Sequence, residues 1–246
     1  MKTKQIIEDK PTNRSVSRTK TLIIFISTII LGFILFVAPN LFFGITKVNG
    51  GLTGINLLIM GLFQCITICS LIYFSLRLLK KDFRYIGFSL SHWKRDGLLG
   101  LVGGLTWTTL QFALIIPSTG GVEREDISQV VEMMDGSLIG ILSYIALGVI
   151  GGGITEEIYN RGYFINVLKD TFRNPNVGLW IAAIISIIFF AIGHLPTDAL
   201  SWMDILVPTT VYTGLFIHTK RLVAPIVAHG VYNMTAIILT HYMYYN

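Results

Sequence analysis

Apolar runs long enough to cross a lipid bilayer recur along the whole chain, and this feature limits the fold most. The runs have the approximate bounds 21–44, 54–79, 97–117, 138–165, 177–195, 203–219 and 222–245. About 20 residues of α-helix span the ~30 Å hydrocarbon core, whereas the strands of a membrane β-barrel are short segments of alternating polarity. The sequence therefore predicts an all-α polytopic transmembrane bundle of about seven spans. An eighth span is left open near residues 195–219.

Basic residues fall almost entirely on one side of this predicted bundle. If the loops are assigned alternately to the two sides, every Lys and Arg except Lys47 and Arg124 lies on the same side. Positive charge stays in the cytoplasm during insertion, so the N-terminus is predicted to be cytoplasmic. This asymmetry accounts for the net charge of +5 without a nucleic-acid partner. Membrane lipids are the expected surroundings, and the oligomeric state is left open.

The chain divides into a basic tail and one membrane domain. Residues 1–20 are polar and basic, and the apolar run that follows has no small-residue cleavage site, so it is predicted to be an anchor rather than a signal peptide. Residues 21–246 form the transmembrane domain. The segment 83–93 mixes aromatic and polar residues, which predicts an interfacial helix or loop.

Two adjacent carboxylates, Glu156 and Glu157, end the fourth apolar run in the stretch GVIGGGITEEIYNRGYF. Charged groups in membrane helices are costly and mark functional sites. Glu157 precedes Arg161 by four residues, the favoured order for an ion pair on a helix. This pairing leaves Glu156 without a local partner and available as a general acid or base. The alternative is two inert carboxylates solvated at the membrane edge, which their adjacency and the nearby Arg161 disfavour.

Two histidines in later apolar runs extend this polar set. His194 follows Phe190 by four residues in FFAIGHLP, and His229 precedes Asn233 by four residues in APIVAHGVYNM. Glu156 and His194 are equally far along the chain from the turn at Pro175, so an antiparallel helical hairpin would place them at the same depth. That depth requires a short or broken helix near Leu195–Pro196 and Pro208. The polar residues are therefore predicted to share one site in the cytoplasmic half of the membrane.

The ordered motifs resemble those of the CAAX-protease and bacteriocin-processing (CPBP, Abi) family of intramembrane peptidases. The family motifs EExxxR, FxxxH and HxxxN are matched in order by Glu156, Glu157 and Arg161, by Phe190 and His194, and by His229 and Asn233. The resemblance covers about residues 138–240, and the first three spans match only in hydropathy. Each motif alone is weak, but the ordered set on separate membrane helices is specific.

The resemblance implies a role for each motif residue in hydrolysing a peptide bond near the cytoplasmic membrane face. Glu156 would activate a water molecule, and His194 would orient that water or take its proton. His229 and Asn233 would stabilise the tetrahedral oxyanion as preorganised donors. The remaining motif positions have supporting roles: Glu157 and Arg161 hold the helix and set the field around Glu156, and Phe190 is assigned to substrate binding.

A metal requirement is left open by the sequence. Members of the family are often called metallopeptidases, and one Glu with two His is a known catalytic zinc set. A zinc ion would be held by Glu156, His194 and His229. The sequence lacks an HExxH arrangement, however, so no obligatory cofactor is the preferred expectation.

Three other functions compete with a peptidase. A non-catalytic membrane regulator or scaffold is compatible with the fold, because fold alone does not determine function. A transporter or proton relay would spread its ionisable groups across the bilayer and often contains repeats, neither of which is evident. Another membrane transfer reaction, such as acyl chemistry, stays open. The Ile-, Lys- and Asn-rich composition favours a bacterial plasma-membrane enzyme of peptide maturation or self-immunity over one that acts on prenylated proteins.

Overall fold

Seven long helices dominate the computed structural model, which describes residues 16–245. Most of the predicted basic tail, residues 1–15, therefore lies outside the described residues. The helices that are long and apolar enough to cross a membrane are α1 Arg18–Thr46, α2 Ile55–Leu78, α3 Trp93–Ser118, α5 Leu138–Lys169, α6 Pro175–Gly193, α7 Ala199–Thr219 and α8 Val223–Tyr244. A short helix, α4, covers Glu125–Met134. The prediction of an all-α bundle of seven spans is confirmed over the described range, where all regular structure is helical.

The ends of the fifth and sixth spans explain how the chain turns back near the candidate site. Helix α6 ends at Gly193 and α7 begins at Ala199, so the break predicted near Leu195–Pro196 is present. The break predicted near Pro208 is wrong, because α7 continues through this proline to Thr219. Leu195 has a positive φ of 53°, a backbone conformation that ends a helix. Helix α5 continues past its predicted end at residue 165 to Lys169.

The outward faces of the long helices are apolar, as contact with lipid requires. On α1, Ile23, Ile26 and Ile30 are exposed, whereas Phe25 and Ile29 pack into the main hydrophobic core. An apolar surface of this extent would promote aggregation in water, but in a bilayer it faces lipid chains. The burial pattern therefore agrees with a membrane helical bundle.

The first turn of α3 and the loop before it are hydrogen-bonded to the connection between α7 and α8. Asp96 is fully buried and accepts hydrogen bonds from Arg221 at 2.5 Å (Nε) and 2.9 Å, and these bonds raise the pKa of the Arg221 guanidinium. The amide of Leu222 donates to the carbonyl oxygen of Gly87 at 3.0 Å. Residues 83–92 form turns and extended chain, so the loop alternative, rather than the interfacial helix, describes this segment.

Candidate active site

Helix α5 is not a regular α-helix where it contains the two glutamates. π-helical turns run over Leu147–Glu156 and again over Ile158–Ile165, on either side of Glu157. The Thr155 hydroxyl donates to the carbonyl oxygen of Ile150, five residues earlier, at 2.6 Å. π-helical turns are rare and frequently occur at functional sites. The widened turns therefore coincide with the most polar part of the membrane helices.

Glycines let α5 approach α8 closely at this level. A Cβ atom added to Gly153 would lie 2.7 Å from the Cα atom of Gly230, closer than real Cβ atoms approach. A Cβ atom added to Gly152 would lie 2.5 Å from Asn233 Nδ2 and 3.5 Å from His229 Nε2. Glycine is required where two backbones pack this closely. The Gly run before Glu156 thus brings the first and third motifs into contact.

Glu157 lies in a buried cluster with one residue of its own helix and one of α8. Arg161 donates to Glu157 Oε1 at 2.9 Å, and the side chains of Glu157 and Arg161 are 0% and 1% exposed. His229 Nδ1 donates to the same oxygen at 2.8 Å. The predicted Glu157–Arg161 pair is therefore present, whereas the contact with His229 was not predicted. Because a carboxylate only accepts, the proton is on Nδ1, and Nε2 of a neutral His229 is an acceptor.

Helices α6 and α7 complete the surroundings of Arg161. Its guanidinium donates to Thr209 Oγ1 at 2.9 Å and lies 4.5 Å from the centre of the Phe190 ring. The Tyr212 ring stacks on the His229 ring at 4.9 Å between centres. Thr209 and Tyr212 were not singled out in the sequence, where the only sign of them is a short polar stretch within an apolar run. They hold the buried cation and the imidazole in place.

Glu156 lies in a different environment from Glu157. Its side chain is 23% exposed, and among residues 16–245 its carboxylate accepts no hydrogen bond. The basic group near it is His229, whose Nε2 is 4.0 Å from Glu156 Oε2. Glu156 and His194 line one cavity of about 170 Å³. His194 Nδ1 donates to the carbonyl oxygen of Phe190 at 2.9 Å, which leaves Nε2 for other contacts.

The wall of this cavity includes residues far outside the three motifs. Phe33, Phe36 and Asn40 come from α1, and Gln64 comes from α2. The predicted substrate-binding residue, Phe190, also lines the cavity. The contribution of α1 and α2 was missed because hydropathy shows that a segment crosses the membrane but not which face meets the site. The cavity is thus polar at the Glu156 carboxylate and aromatic around it.

Asn233 is near the site but outside the Glu156 cavity. Its Nδ2 donates to the carbonyl oxygen of Gly148 at 2.8 Å, and the side chain lies beside Gly152 on the same side as His229. The structure therefore brings the three motifs to one region, with Glu156 and His194 around a cavity and Asn233 beyond His229.

The set of donors suggested for zinc does not gather around one point. Among the residues that the structure describes, no group of three or more His, Cys, Asp or Glu side chains is placed to hold a metal ion. Glu156, His194 and His229 therefore do not fit a single zinc ion in this arrangement.

One comparison with known proteins gives a match. Residues 138–235 match the family model described as type II CAAX prenyl endopeptidase Rce1-like, a range that starts with α5 and ends just after Asn233. Searches of the curated proteins and of the solved structures gave no match. The matched range contains all three motifs, in agreement with the resemblance inferred from them. The chain is therefore a multi-pass membrane protein in which residues 138–235 match the type II CAAX prenyl endopeptidase Rce1-like family model.

Proposed function

We propose that this protein is an intramembrane endopeptidase in which Glu156 activates the water that attacks the scissile peptide bond. The observation that carries the proposal is the difference between the two adjacent carboxylates. Glu157 is buried and accepts hydrogen bonds from Arg161 and His229, whereas the Glu156 carboxylate faces a cavity without a hydrogen bond among the described residues. A general base must be free to take a proton and must be reachable by the substrate.

The gap between Glu156 and His229 suits a hydrolytic water. The 4.0 Å between Glu156 Oε2 and His229 Nε2 is too long for a direct hydrogen bond and is a separation that one water molecule bridges. In the proposed reaction, Glu156 takes one proton from this water and the hydroxyl oxygen bonds to the carbonyl carbon. When the tetrahedral intermediate collapses and the C–N bond breaks, Glu156 returns the proton to the leaving amine.

In the proposed mechanism, His229 and Asn233 on α8 stabilise the oxyanion. Asn233 Nδ2 and His229 Nε2 both lie close to Gly152, at 2.5 Å and 3.5 Å from the position that a Cβ atom would take there. His229 would donate through Nε2 as an imidazolium that takes its second proton from solvent before the attack and keeps it through the reaction, while Glu157 would stabilise its charge from the Nδ1 side. Removal of a single oxyanion donor typically lowers kcat by about 10²–10³-fold. His194, which lines the same cavity as Glu156, would orient the water.

The cavity favours a peptide side chain over a large lipid group. Its volume of about 170 Å³ is below the ~300–1,000 Å³ of typical small-molecule sites, and aromatic rings of Phe33, Phe36 and Phe190 line it. This supports cleavage beside an apolar residue of a peptide or protein substrate near the cytoplasmic membrane face. Peptide maturation or self-immunity in a bacterial plasma membrane is the role that we propose for it.

The test is the isosteric substitution Glu156→Gln. It keeps the shape of the side chain but removes the base, so we expect cleavage to fall by at least ~10²-fold. The measurement compares membrane peptides, by mass spectrometry, in cells that produce the wild type or the variant. Peptides that disappear in the variant identify the products, and synthetic precursors of them then give rates with purified protein.

The matched control is Glu123→Gln, which removes a carboxylate from the loop between α3 and α4. This variant should cleave as the wild type does, and both variants should accumulate to the same level in the membrane. A Glu156→Gln protein with full activity would refute the proposed base. Identical peptide pools in wild-type and Glu156→Gln cells would instead favour the non-catalytic scaffold.

A further inference from the structure

A second cavity lies at the C-terminal end of α5, away from the candidate active site. Its volume is about 530 Å³, within the ~300–1,000 Å³ range of small-ligand sites. We call it the inner basic cavity, defined by the five cationic side chains that line it: Arg18, Lys80, Lys81, Lys169 and Arg173. They come from the start of α1, the end of α2, the end of α5 and the turn that follows. Among the described lining residues, Asp170 is the sole carboxylate.

Asp170 does not balance these charges. Its Oδ2 atom accepts a hydrogen bond from the Tyr85 hydroxyl at 2.7 Å and lies 3.8 Å from Lys81 Nζ. The Lys81 and Asp170 side chains are 41% and 38% exposed, so water screens this ion pair. Lys169 donates to the neutral Oδ1 atom of Asn166 at 2.7 Å, a hydrogen bond that does not compensate its positive charge. The cavity therefore has a surplus of positive charge.

The two arginines are the cations best suited to an anionic ligand. In the part of the chain that is described, no carboxylate lies within ion-pair distance of Arg18 or Arg173. A guanidinium group binds phosphate oxygens with two parallel hydrogen bonds, and a concave basic surface concentrates anions. The chemistry of the cavity is thus that of a phosphate site.

The remaining walls are apolar, which favours an amphipathic ligand. Leu79, Val167 and Phe172 line the cavity between the cationic groups. The cavity lies at helix ends, on the side that the charge distribution predicts to be cytoplasmic, where membranes contain anionic lipids. We propose that the inner basic cavity binds the phosphate-bearing headgroup of an anionic membrane lipid. The apolar wall contacts the adjoining glycerol and acyl carbons.

The experiment measures thermal unfolding of the full-length protein in a neutral detergent. Three compounds are titrated separately: dioctanoyl phosphatidylglycerol, dioctanoyl phosphatidylcholine and sodium phosphate. Each is tested on the wild type and on two double variants. Arg18→Gln with Arg173→Gln removes two cavity charges, and both residues are exposed and form no ion pair within the part of the chain that is described, so the fold should be unaffected. Lys94→Gln with Arg95→Gln removes two charges from the same side of the protein outside the cavity.

For the wild type we expect phosphatidylglycerol to raise the unfolding midpoint saturably and phosphatidylcholine to give no saturable shift. The cavity variant should bind phosphatidylglycerol at least tenfold more weakly, and the control variant should bind it as the wild type does. Equal weakening in both variants would show a general charge effect and overturn the proposal, as would a linear response without saturation. If sodium phosphate raised the unfolding midpoint with the same saturating concentration as phosphatidylglycerol, the ligand would be free phosphate rather than a lipid headgroup, and the proposal would be overturned.

Discussion

Glu156 and Glu157 are neighbours in the sequence but have opposite environments. One oxygen of Glu157 accepts hydrogen bonds from both Arg161 and His229, and the side chain is fully buried. Glu156 faces the cavity next to His194. Because the Glu157 carboxylate compensates the charge of the buried Arg161, Glu156 is not needed for this purpose. Glu157 therefore holds the site together, and Glu156, as we propose, acts in catalysis.

This division predicts different effects of the same substitution at the two positions. Glu157→Gln removes the charge that compensates Arg161, whose side chain is 1% exposed. Loss of one partner of a buried ion pair typically costs about 3–5 kcal/mol, so we expect a large loss of unfolding free energy in detergent. Glu156→Gln should change the unfolding free energy by less than ~1 kcal/mol, because it breaks no hydrogen bond of the carboxylate within the described residues. Equal losses would contradict the division.

At the level of the helices, the site depends on the close contact between α5 and α8. Gly153 faces the backbone of Gly230, and backbone atoms cannot move aside as a flexible side chain can. His229 directly precedes Gly230, and Asn233 lies one turn after His229 on the same face of α8. The distance between the two helices therefore sets the position of both α8 side chains relative to Glu156.

Adding one methyl group to this contact should separate the two helices. We expect Gly153→Ala to lower the unfolding free energy by about 1–3 kcal/mol, the usual cost of overpacking, and to reduce cleavage as well. The matched control is Gly214→Ala on α7, where an added Cβ meets nothing within 4 Å. This control should be neutral or up to ~1 kcal/mol more stable, because alanine favours a helix. A Gly153→Ala protein as stable and active as the control would show that the contact is dispensable.

The sequence predicts what depends on local pattern and misses what depends on packing. Seven spans follow from hydropathy, and the Glu157–Arg161 pair follows from a four-residue spacing. The contact between His229 and Glu157 joins distant helices, so no local spacing reveals it. The π-helical turns around Glu157 likewise have no hydropathy signal. The cavity wall from α1 was hidden because an apolar run does not show which face is buried.

At the level of the whole molecule, α1 and α5 each line both cavities. Helix α1 provides Arg18 to the inner basic cavity and Phe33 to the cavity of Glu156. Helix α5 provides Lys169 to the first and Glu156 to the second. Two continuous helices therefore connect the inner basic cavity with the candidate active site.

Peptide cleavage and lipid binding at the cytoplasmic face, as proposed above, require the end of α5 at Lys169 to face the cytoplasm. The distribution of Lys and Arg predicts this orientation. The prediction is tested with single cysteines in a variant whose native cysteines, Cys65 and Cys69, are replaced by alanine. Both native thiols are free and lie within α2. Ser91→Cys lies in the loop before α3, and Gln129→Cys lies on α4; both positions are exposed.

A membrane-impermeant maleimide added to intact cells should label Gln129→Cys and spare Ser91→Cys. After the cells are broken open, both variants should react, which shows that each thiol is accessible when the reagent can reach it. The reverse pattern in intact cells would place the inner basic cavity and the end of α5 outside the cell. The lipid ligand and the peptide substrate proposed for the cytoplasmic face would then have to be replaced by extracellular ones, although the internal geometry of Glu156, His194 and His229 would be unchanged.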